Sequence, residues 1–193
     1  MKQLLMLLFA GVSIIFFSCQ EESTFIPELS QNETASVTLA KPLPNLIGTM
    51  DLYFDVTAVW PEEPVWLGTV TFSGYGDFDG TFDLRFYHFS EFKNYSQASP
   101  FEERFEIYQV VNGDTVILLA GPDFGVTTLA NNPPDSCKYV MNGSVEVANE
   151  QFTPWLGRNV HMSGKISWQF LTLPDGTVIG PVPEKAPGIM RIN

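Results

Sequence analysis

The sequence predicts an all-β domain, a single antiparallel barrel of about eight strands, with a β-sandwich as the alternative. Three observations carry this. Phe, Val, Thr, Tyr and Trp are plentiful, and no stretch of the 193 residues shows a sustained 3.6-residue apolar period. Several runs instead alternate apolar and polar side chains with period two. Between apolar runs stand Asp79-Gly80, Asn112-Gly113 and Asp175-Gly176, dipeptides suited to the left-handed backbone of tight hairpins. Successive hairpins favour a barrel or sandwich, and a barrel leaves no strand edge exposed.

Taken in order, the strands are expected near 50–60, 66–78, 81–89, 103–111, 115–120, 138–148, 158–173 and 177–182, with a short one near 188–192. In the third, Phe82, Leu84, Phe86 and His88 share one face and Asp83, Arg85 and Tyr87 the other. In the seventh, Val160, Met162, Ile166, Trp168 and Phe170 share a face, opposite His161, Ser163, Lys165, Ser167 and Gln169. Asn142-Gly143 falls inside a strand and is expected to mark a bulge. Alternation assigns Phe82, Phe86, Trp168 and Phe170 to the core.

The chain ahead of this domain reads differently. Lys2 precedes a mostly apolar run from Leu4 to Phe17, which ends at Ser18-Cys19-Gln20-Glu21-Glu22. One cation and a short apolar stretch are the parts of a secretion signal. A spanning helix needs about twenty apolar residues. The segment resembles a bacterial lipoprotein precursor, which implies cleavage before Cys19 and acylation of that residue. Phe16 and Phe17 depart from the usual lipoprotein box, and Ser18 fits it. Two or more acyl chains give stable anchoring, at about 0.8 kcal/mol per buried methylene. Gln20-Glu21-Glu22 resembles the acidic signal that sends some lipoproteins to the outer face of the outer membrane. The expected organisation is a signal peptide over 1–18, a lipidated Cys and flexible polar linker over 19–45, and the barrel domain over 46–193.

That domain, about 150 residues, has the size of one folding unit. The chain carries a net charge of −12 and no basic stripe, which argues against a nucleic-acid partner. With Cys19 acylated, Cys137 remains single, so no internal disulfide is expected.

The features from Gly68 to Ser167 resemble small barrels similar to allene oxide cyclase and dirigent proteins, a calycin-like type. The resemblance rests on Gly74-Tyr75-Gly76-Asp77-Phe78, Phe105-Glu106-Ile107, Asn112-Gly113-Asp114, and Gly157-Arg158-Asn159 leading to Gly164-Lys165-Ile166. It implies a fold and no active residues. The Pro-containing loop from Asn131 to Asp135 departs from the pattern.

Chemical motifs are sparse. Asp77, Asp79 and Asp83 surround Gly80 without the further ligands of a calcium loop, and read as a polar hairpin tip. His88 and His161, the two histidines, lack metal partners at ligand spacing. No nucleophile elbow, zinc-protease motif or phosphate loop occurs. Glu103 and Arg104 are expected on solvated faces, and Cys137 as a half-buried structural thiol. Thus no catalytic residue, cofactor or metal is assigned. Trp60, beside Pro61, and Trp155, beside Pro154, lie outside the clean alternating runs and are taken as rim contacts for a ligand. The sequence therefore points to a surface-facing, outer-membrane lipoprotein. Its expected role is a non-enzymatic binding module for a small apolar ligand, a glycan or an envelope protein. The alternative is a barrel enzyme of isomerase or hydrolase type, favoured if the interior holds strained polar groups.

Overall fold

The computed structural model describes residues 43–90, 98–128 and 136–193. The leader, Cys19 and nearly all of the expected linker lie outside the described residues, as does the Pro-containing loop at 131–135.

The described chain is all-β. Its strands are β1 (Leu46–Phe54), β2 (Trp66–Phe72), β3 (Gly80–His88), β4 (Ser99–Val111), β5 (Asp114–Thr127), β6 (Ser136–Ser144), β7 (Val147–Ala148), β8 (Asn159–Thr172), β9 (Val178–Lys185) and β10 (Gly188–Ile192). Every pairing is antiparallel, and the ring runs β1-β2-β3-β4-β5-β6-β8-β10 and back to β1. This is a closed eight-stranded barrel, which sets the sandwich alternative aside. β9 and β10 are two halves of one strand path, broken at Ala186-Pro187. β10 pairs with the first half of β8, and β9 with the second half. The short β7 adds to β5 at Leu119 and Ala120.

Alternation makes the barrel. On β1, Leu46, Met50 and Leu52 point inward while Ile47, Thr49, Asp51 and Tyr53 face out. On β3 the inward set is Phe82, Leu84, Phe86 and His88, as the sequence implies. Asn112 (φ 55°) and Gly113 (φ 92°) form the two-residue turn between β4 and β5. Positive φ at both central residues matches the twist of the flanking strands. Further along this hairpin, Ile107 pairs with Leu119 but Tyr108 with Ile117. Leu118 is the extra residue of a bulge, and both Leu118 and Leu119 are buried.

One end of the barrel is sealed by aromatic side chains. Two short 3-10 helices, Gly76–Phe78 and Glu150–Trp155, bring Phe78, Phe152 and Trp155 over it. The Phe78 and Phe152 rings stand 4.2 Å apart, Phe78 and Trp155 5.9 Å, and Phe72 and Phe78 5.6 Å. Each buried aromatic contributes about 1.5–3 kcal/mol, and edge-to-face pairs add about 0.5–1.5.

Three expectations are corrected. Asn142-Gly143 makes no bulge, because pairing is in register through both residues on both sides. Gly143 is there for space: a Cβ would lie 2.3 Å from the Pro122 carbonyl oxygen and 2.8 Å from the Asp123 Cβ. Asp79-Gly80 is not a two-residue tip, since the 3-10 turn lengthens the connection before β3. Phe170 is 55 % exposed rather than in the core. Beyond Ser167 the β8–β9 pair breaks register, between Ser167 and Trp168 and again between Gln169 and Leu171.

Candidate functional site

The opposite end of the barrel carries polar chemistry. Three adjacent strands deliver it in one row. His88 on β3 pairs with Glu103 on β4, and Glu103 pairs with Asp123 on β5. All three side chains are at most 5 % exposed. Glu103 is thus inside the barrel, not on a solvated face; Arg104, its neighbour, does face out.

His88 Nδ1 and Glu103 Oε1 share a hydrogen bond of 2.7 Å. Burial pushes the Glu103 carboxyl up to about 8, against the pull of a hydrogen bond from the Trp66 side chain. Burial pushes the His88 imidazole down to about 4, against a backbone hydrogen bond at Ser90. Neither group gains enough from its neighbour to offset loss of water, so near pH 7 this is a carboxylic acid against a neutral imidazole. It is not an ion pair. Asp123 is held well above the usual carboxylate range, first by burial and then by the charge of Glu103. Among the described residues, neither Asp123 oxygen nor the Ser99 hydroxyl has a hydrogen-bond partner.

Tyr139 on β6 completes the group. Its hydroxyl donates to the Ala186 carbonyl at 3.2 Å, and burial, then the Glu103 charge, raises its phenol above the usual value. The ring crosses Gly164 and Gly188, where a Cβ would come within 2.6 and 2.3 Å of the tyrosine oxygen.

Around these groups lies a cavity of about 50 Å³. Its walls include Met50, Leu52, Trp66, Phe86, Phe101, Met141, Ile166 and Trp168, with His88, Glu103, Ser99, Thr127 and Tyr139 as the polar members; Asp123 lies outside the wall. A single water occupies roughly 10–15 Å³ on this measure, so there is room for a small guest. The His88 and Phe101 rings stack at 6.1 Å. Pro100 and Thr127 at the margin are exposed and half-buried, so the cavity reaches the barrel end.

The residues singled out in the sequence fall in different places. Trp60 is 42 % exposed in the connection after β1, and is not part of the cavity wall. Trp155 is not on a rim: it is 7 % exposed in the sealed end, with the Arg158 guanidinium 5.8 Å above its ring. Cys137 is buried rather than half-buried, and burial raises its thiol, opposed by a hydrogen bond from Trp168. That is the environment of an inert thiol. His161 faces outward and bonds to Asn142 at 2.8 Å. The described residues hold no group of three or more potential metal ligands.

Glu103 and Asp123 escaped sequence reasoning, yet a signal existed for the first. In Phe101-Glu102-Glu103-Arg104-Phe105-Glu106-Ile107, placing Phe105 and Ile107 inward places Glu103 inward too. No family model, no curated protein and no solved structure matches the chain.

Proposed function

We propose that this protein is a lipid-anchored, outer-membrane barrel that holds a small, largely apolar molecule in the cavity beside Glu103. The observation that carries the reading is the cavity itself: apolar and aromatic walls with a few convergent polar groups, the usual make-up of a small-molecule site. Trp66, Phe86, Phe101 and Trp168 supply contact area, and Glu103, Ser99 and Tyr139 supply orientation. The resemblance to calycin-like barrels of the allene oxide cyclase and dirigent type agrees with the barrel fold. Anchoring rests on the leader and on Cys19, which would keep the barrel at the cell surface.

Two experiments test this. Titration with a panel of small apolar compounds, read by tryptophan fluorescence, is expected to give saturable quenching of the cavity tryptophans with a rise in melting temperature. No response to any compound removes the ligand-binding reading. Changing Cys19→Ala is expected to move the protein out of the detergent phase on phase partition; unchanged partition removes the anchor.

A second reading, a proton-transferring enzyme of isomerase type, is favoured by the acid at Glu103. A carboxyl that titrates near neutrality is suited to general acid–base work. If Glu103→Gln stops conversion of a bound compound while its affinity stays within twofold, this second reading replaces the first.

A further inference from the structure

Resting on that reading of the cavity as a ligand site, we infer that its ligand is a small organic cation, a substituted ammonium held between aromatic rings and the Glu103 carboxyl. The interior is electrostatically one-sided. Glu103 and Asp123 stand side by side across β4 and β5, and among the described residues no lysine or arginine is buried. Among the described residues the basic group in contact is His88, which burial holds neutral near pH 7. Two buried acids without a counter-charge remain uncharged only by keeping their protons. A cation in the cavity supplies the missing charge and releases the proton of Glu103 to solvent.

The walls suit the same guest. Trp66, Phe86, Phe101 and Trp168 line the cavity beside Glu103. Aromatic rings attract ammonium groups through their negative faces, most strongly where water is excluded. The Ser99 hydroxyl, a buried acceptor on the cavity wall without a partner among the described residues, favours the same guest, and the Asp123 carboxyl, also without a partner there, sits next to Glu103 across β4 and β5. Among the described residues an anion would meet two acids and no buried lysine or arginine. A metal ion lacks a ligand set here among the described residues. The net charge of −12 draws cations toward the molecule as a whole.

The titratable groups facing Glu103 are His88 on β3, Asp123 on β5 and Tyr139 on β6; Cys137 lies further along β6 against Trp168. Of these, Glu103 sets the pH dependence near neutrality. Cation affinity should rise with pH, by up to tenfold per unit, and level off above about 8.

The test uses choline and 3,3-dimethylbutan-1-ol, which share a shape and differ in the positive charge. Each is titrated into the full-length protein, with tryptophan fluorescence for affinity and calorimetry in two buffers for proton release. Choline is expected to bind at least tenfold tighter than the alcohol, to release close to one proton at pH 7, and to lose that advantage over the alcohol in Glu103→Gln. Asp123→Asn serves if Glu103→Gln does not fold, with a smaller loss of the same kind. Equal affinities for the two compounds, or cation binding without proton release, overturn the inference and leave the ligand site standing. If neither compound binds while the apolar panel does, the ligand is neutral. If the panel fails as well, the ligand-site reading falls with it.

Discussion

The two ends of this barrel are built from the same alternating strands and do opposite things with them. At the sealed end, Phe72, Phe78, Phe82, Phe152 and Trp155 meet ring to ring. At the other, inward positions on β3, β4 and β5 hold His88, Glu103 and Asp123, the first two on the wall of a cavity. β3 makes the contrast within nine residues, from Phe82 near its start to His88 at its end. The dry end supplies stability, which leaves the polar end free to carry groups that destabilise the fold when ionised. That division of labour sets what each perturbation should do.

The largest effect belongs to the sealed end. Phe152→Ala should remove about 3–5 kcal/mol, measured by denaturant unfolding, because its ring is buried against Phe78 and the neighbours cannot collapse inward. A loss under about 1 kcal/mol would show that the aromatic cap is not what holds the barrel together.

Next comes pH. Glu103 and Asp123 keep protons in the folded state that they lose on unfolding, so their contribution is fully present below the ordinary carboxylate range and fades as pH rises toward about 8. His88 works the other way, since its unfolded form takes up a proton that the folded form resists, but only between about 4 and 6.5. Above 6.5 the carboxyls act alone. Melting temperature should therefore fall between pH 6.5 and 8, on the order of 5 °C. A flat or rising curve across that window contradicts a neutral Glu103–His88 pair.

Glu103→Gln sharpens the same contrast. It keeps size and hydrogen bonding and removes the ionisation. It should raise melting temperature by about 2–4 °C at pH 8 and leave it nearly unchanged at pH 5. An equal shift at both values would mean that the effect is packing and not charge.

The smallest effect is Trp60→Ala. An exposed ring away from the core should change stability by no more than about 0.5 kcal/mol. Set beside Trp155→Ala, which should resemble Phe152→Ala, it separates two tryptophans that look alike in sequence. A similar loss at both would return Trp60 to the core.

Much of the fold was legible. Period-two runs located most of the strands, and Asn112-Gly113 located a hairpin turn to the residue. The corrections have local causes that a single strand does not display. Gly143 is small because the Pro122 carbonyl and Asp123 approach it from the adjacent strand. Phe170 follows the alternation of its strand, but the pairing that would keep it covered slips register. The Pro beside Trp155 sits inside a 3-10 turn that folds the ring into the sealed end, so a break in alternation marked a plug and not a rim. The candidate site was less legible. An acidic chain makes every glutamate look like surface. Alternation with Phe105 and Ile107 would have turned Glu103 inward, but that it stands in one row with His88 and Asp123 exists only once the sheet is registered.

The ring is shut by its earliest and latest strands. β10 slots between β1 and β8, pairing Ile192 with both Leu46 and Val160. Until β10 arrives, β1 and β8 are joined only through β9, which meets β1 at Tyr53 and Lys185, and the first half of β8 and most of that side of β1 stay unpaired and able to recruit another chain. Contacts that span nearly the whole domain also slow folding, because distant segments must meet before their pairing rewards the search. For a chain that emerges gradually, from a ribosome or a translocation pore, the interior therefore does not exist as an enclosed space until β10 has emerged. The acids inside it acquire their unusual protonation only at that last step, which makes the proton uptake of Glu103 and Asp123 a clock for barrel closure, readable with a pH dye during refolding.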